Sequence, residues 1–74
     1  MIWNKFDSET RVLINKSGRI VGKVFISVFG YPKQYYGFIC LPEKDVRLGE
    51  FITQERAEAA VWQAASEREV LNVH

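Results

Sequence analysis

The chain has 74 residues, 47% hydrophobic and 14% aromatic, with ten Lys or Arg against nine Asp or Glu and a formal net charge of +1. This is short of the roughly 100 to 150 residues of a typical domain, so a single domain over residues 1–74 is expected. One cysteine, Cys40, and one histidine, His74, exclude a disulfide framework, a Cys-rich zinc site and the commonest general-base and metal-ligand combinations.

A short N-terminal strand precedes residues 11–15, whose Val12, Leu13 and Ile14 read as a strand. Lys16, Ser17 and Gly18 supply turn chemistry, which predicts a hairpin into residues 20–29. There the pattern alternates: Ile20, Gly22, Val24, Ile26 and Val28 form an apolar set expected to face the core. Val21, Lys23, Phe25, Ser27 and Phe29 form the other face, partly exposed and aromatic. Gly30 to Lys33 make the next turn around Pro32. Residues 34–41 then carry Tyr35, Tyr36 and Phe38, residues 42–45 a polar loop, and residues 46–51 a last short strand with a bend at Gly49.

The helix is expected over residues 53–69. Thr53 is an N-cap, Glu55 lies in the first turn where the dipole favours negative charge, and no Gly or Pro interrupts residues 57–69. Ala57, Ala60, Val61, Ala64 and Ala65 share one face, a small-residue stripe suited to close approach of a sheet, with Trp62 at its boundary, read as a flap over the core edge or as an exposed anchor for a partner. Residues 70–74 are read as either an edge strand or a frayed end. The predicted fold class is α+β: an antiparallel β-meander of three or four strands with one C-terminal helix packed on one face.

No stretch approaches the roughly 20 apolar residues of a membrane-spanning helix, and the first residues lack the pattern of a secretory signal. With a lone cysteine, a cytoplasmic location is expected. Cys40 reads as a small buried hydrophobe, Glu43 and Asp45 as a solvated loop, and the glycines around Arg19 lack the strand, loop and helix context that cradles phosphate. The residues therefore predict no catalytic set, no metal, no cofactor and no small-molecule substrate, which makes the chain a binding protein and not an enzyme.

Charge is unevenly placed. Residues 1–49 hold eight Lys or Arg against four acids, net +4, whereas residues 50–74 hold two against five, net −3. A sheet face left open by the helix would present aromatic rings beside cations, a combination that serves a protein interface or nucleic acid.

The run Arg47-Leu48-Gly49-Glu50-Phe51-Ile52-Thr53-Gln54-Glu55-Arg56-Ala57-Glu58-Ala59-Ala60-Val61 resembles the last strand, turn and helix of AP2-like domains and of the arm-binding N-terminal domains of phage integrases. The shared pattern is Leu-Gly-x-Phe-x-Thr-x-Glu-x-Ala, and residues 22–28 are loosely similar to an earlier strand. The resemblance implies a three-stranded sheet that inserts into DNA through basic and aromatic strand residues. In size and single-domain economy the chain is also similar to small phage and prophage accessory proteins. Two functions are expected on these grounds. The first is a phage-type or mobile-element accessory protein that docks on a protein partner or on itself through Phe25, Phe29, Tyr35 and Tyr36. The alternative is a DNA-binding module in which Arg19, Lys23, Lys33 and Arg47 meet phosphates.

Overall fold

Local side-chain chemistry closes the turns. Between the first two strands, the Asp7 carboxylate accepts the Glu9 N–H at 2.8 Å. In the next turn Asn15 Oδ1 accepts the N–H groups of Ser17 and Arg19 at 2.9 and 3.0 Å, and Gly18 takes a φ of 81° that L side chains resist. A backbone bond from Leu41 N–H to Lys44 O, 2.9 Å, closes the last hairpin.

The computed structural model describes residues 1–27 and 33–71, with side chains up to residue 68. Its elements are β1 (Ile2–Lys5), β2 (Thr10–Ile14), β3 (Ile20–Ser27), β4 (Gln34–Cys40), β5 (Asp45–Phe51) and α1 (Gln54–Leu71). The strands pair antiparallel in chain order, so the fold is the α+β meander expected, with five strands instead of three or four. The short N-terminal strand, β1, completes the five, and its Trp3 pairs with Leu13. Thr53 caps α1, its hydroxyl accepting the Arg56 N–H at 3.2 Å. The helix runs two residues beyond the expected Glu69, through Leu71, and residues 28–32, on which most of the turn expected around Pro32 falls, and residues 72–74 lie outside the described residues. Among the described residues no helix is long and apolar enough to cross a membrane.

The helix lies across β3 and β4 and reaches β5. Its stripe narrows to Ala57, Val61 and Ala65, buried against Leu13, Val24 and Ile39, while Ala60 and Ala64 are half-buried. Val61 is the wedge: a Cβ added at Gly37 would lie 2.9 Å from its Cγ2, and one added at Gly22 would be closer still to its Cγ1. Two glycines on neighbouring strands thus form the hollow that receives the valine, and full burial of such a side chain is worth about 1.5–3 kcal/mol. The Phe51 ring covers the same hollow from β5, 3.3 Å from a Cβ placed at Gly37.

Two register shifts re-aim the strands. Leu13 pairs with Gly22 but Ile14 pairs with Ile20, leaving Val21 as the extra residue of a bulge. Val21 therefore packs against the core, and Ile20, expected there from simple alternation, turns to the other face with 45% of its surface exposed. On β5, Gly37 pairs with Gly49 but Phe38 pairs with Arg47, making Leu48 the extra residue and moving Arg47 away from the helix. Trp62 keeps 40% of its surface exposed.

Candidate functional site

The face of the sheet opposite the helix is built from two cross-strand rows. One runs Asn4, Val12, Lys23, Phe38, Arg47; the other runs Thr10, Phe25, Tyr36, Glu50. Beside them Ile14 pairs with Ile20, and Cys40 with Asp45. β3 and β4 place these side chains because their partners on the covered face, Gly22, Val24, Gly37 and Ile39, are held under the helix and strand alternation does the rest.

A groove of about 410 Å³ runs over this face. Phe6, Val12, Ile20 and Phe25 make its apolar walls and floor, and Lys23, Asp45, Thr10 and Cys40 its polar parts. Phe6 and Phe25 stand out from it, 68% and 42% exposed, while Val12 beneath them is buried. Val12 belongs to this face and not to the cluster under the helix.

The cations of the face are already partnered. Lys23 Nζ lies 2.7 Å from Asp45 Oδ2 and 5.5 Å from the centroid of the Phe38 ring. Arg47 pairs with Glu50 and lies 4.9 Å over the Tyr36 ring, whose hydroxyl donates to Gln34 Oε1 at 3.0 Å. The hydrogen bond between Lys23 and Asp45 raises the lysine above its ordinary range and holds the Asp45 carboxyl below its own. Burial, reinforced by the neighbouring Asp45 charge, pushes the Cys40 thiol up to about 11, so it is a protonated thiol at neutral pH and a poor nucleophile. Asp45, expected in a solvated loop with Glu43, instead opens β5 and carries this pair. Among the described residues no group of three or more His, Cys, Asp or Glu is placed to hold a metal ion.

The structure separates the residues expected to bind. Phe25 and Tyr36 are cross-strand partners on the open face. Tyr35 is not with them: it pairs with Ile26 and Phe51 and packs against the core on the helix side, because neighbouring residues of a strand point to opposite faces. Phe29 lies outside the described residues. Of the four cations, Lys23 and Arg47 share one row of the open face. Arg19 borders a separate hollow with Arg68 and Ala65, and Lys33 lies at the opposite end of β4 beside Glu50, Phe51 and Ile52. The four do not form one basic patch, and the open face is locally neutral despite the +4 of residues 1–49.

Phe6, Ile20 and Phe38 join the open face without having been expected there. For Phe38 the signal is present in the sequence, since it shares the parity of Tyr36 on a strand whose Gly37 marks the close approach of the helix. For Ile20 it is absent, because only the bulge turns that residue outward. Comparison with protein families, curated proteins and solved structures found no match for this chain.

Proposed function

We propose that this chain is a small non-enzymatic binding protein, of the format of phage or mobile-element accessory proteins, that docks on a protein surface through its open sheet face. The observation that carries the reading is the aromatic ridge of Phe6 and Phe25 beside an apolar groove, on a face whose charges are internally neutralised. Exposed aromatic side chains, here Phe25 on β3 and Phe6 in the loop after β1, are of the kind enriched at protein interfaces. DNA binding is less well supported, because Asp45 and Glu50 sit where phosphates would approach Lys23 and Arg47.

A photo-crosslinking phenylalanine analogue at position 25, compared with one at Gln63 on the outer face of the helix, tests this in cells. Protein adducts from position 25 and none from position 63 are expected. No adduct from position 25, or strong salt-dependent binding of mixed-sequence DNA by the purified chain, would replace the protein-docking reading.

A further inference from the structure

Building on that reading, we infer that the open face is a self-complementary surface and that its occupant is a second copy of this chain. Three observations lead there. The first is charge: Lys23 and Arg47 are balanced by Asp45 and Glu50, so the face is neutral and carries both signs. Two such faces meet without net repulsion, whereas nucleic acid would meet two carboxylates.

The second is relief. An isologous interface places residue i of one copy against residue j of the other and the reverse, so it needs a projection and a recess on the same patch. Here the projecting Phe6 and Phe25 rings border the groove floored by Val12. A twofold axis close to Phe25 seats the ring of each copy over the groove of the other, and sheets packed this way lie about 10 Å apart with their strands roughly aligned.

The third is area. Five strands about 4.8 Å apart, each rising about 3.3 Å per residue, present on the order of 500 Å² per face. A pair therefore buries about 1,000 Å² in total, the lower bound of a specific interface. The area per copy is roughly a tenth of the 5399 Å² surface of one chain, the share that standard interfaces occupy. The product is a four-layer particle, helix, sheet, sheet, helix, with the acidic helices outermost.

Sedimentation equilibrium of the purified full chain, from about 1 µM to about 1 mM, spans the affinities at which such an interface registers. The mass is expected to rise from 8.6 kDa towards twice that value. Phe25→Ser and the loop variant Phe6→Ser should weaken association about tenfold or more while leaving the circular dichroism spectrum unchanged. Arg47→Glu makes the face net negative and Glu50→Arg makes it net positive, so each variant alone should dissociate and an equimolar mixture should recover the dimer. A chain monomeric throughout, or a dimer indifferent to all four substitutions, overturns the inference. If the purified chain is monomeric while position 25 still crosslinks to a foreign protein in cells, the docking function stands and the second copy is the wrong occupant. If neither association nor adducts appear, both fall.

Discussion

The two faces of one sheet solve opposite problems. On the covered face, glycines at positions 22 and 37 remove side chains so that the helix face of Ala57, Val61 and Ala65 can approach closely and pack on Leu13, Val24 and Ile39. On the open face the same two strands carry Lys23, Phe25, Tyr36 and Phe38, large side chains that cover the sheet with rings and bury Val12 without any second layer. The covered face is specified by shape and fails if a methyl group is added. The open face is specified by partnered charge and aromatic cover, so individual changes there should cost less folding stability than changes on the covered face.

The largest expected effect breaks that distinction from the covered side. Gly22→Ala forces a methyl into Val61 and should cost about 1–3 kcal/mol by chemical denaturation, the range of overpacked cores. Val61→Ala should also destabilise, by about 2 kcal/mol, through the cavity it leaves. The double variant should be far more stable than the sum of the two losses predicts, because each change relieves the other. Strict additivity would show that Val61 does not fill the hollow between the glycines.

Next in size is Thr53→Ala, expected to cost about 1 kcal/mol by removing the acceptor for the Arg56 N–H. It should loosen the helix-covered side first, so hydrogen exchange should accelerate in the first turn of α1 before it does at the pairing of β1 with β2.

Smaller again is the ion pair of Lys23 and Asp45, whose partners are both partly exposed and which should contribute about 0.2–1 kcal/mol. Asp45 is depressed in the fold, so its contribution is complete above its ordinary 3.8 and disappears as pH falls through the lowered value. Lys23 is raised, so its contribution is complete below 10.5 and disappears as pH climbs through the raised value. The stability difference between wild type and Lys23→Met should therefore be flat between those limits and shrink outside them. A difference that peaks near neutrality would implicate another group.

The smallest stability effect is expected at Phe25→Ser, within about 0.5 kcal/mol, as for a surface position away from tightly packed features. If it instead costs as much as Gly22→Ala, the open face is a second core and its aromatic ridge serves folding.

Much of the architecture is local in origin and so is legible in the sequence. Asn15 and Gly18 make a turn by hydrogen bonds within five residues, Thr53 caps the helix it precedes, and the spacing of Ala57, Val61 and Ala65 is a property of one helix. The alternation of Gly22 and Val24 with Lys23 and Phe25 on β3 is likewise legible, and the packing of Val61 then shows that the helix covers the Gly22 and Val24 set.

What only the tertiary structure decided is what depends on two or more strands at once. A bulge is a mismatch between partners, and because the strand period is 2, one extra residue turns every side chain beyond it to the other face. That is why Ile20 and Arg47 joined the open face and Val21 the core, whereas the parting of Tyr35 from Tyr36 needs only the strand period. The same holds for charge: Lys23 and Asp45 lie 22 positions apart and meet across β4, so a half of the chain that is strongly basic by count presents a neutral open face.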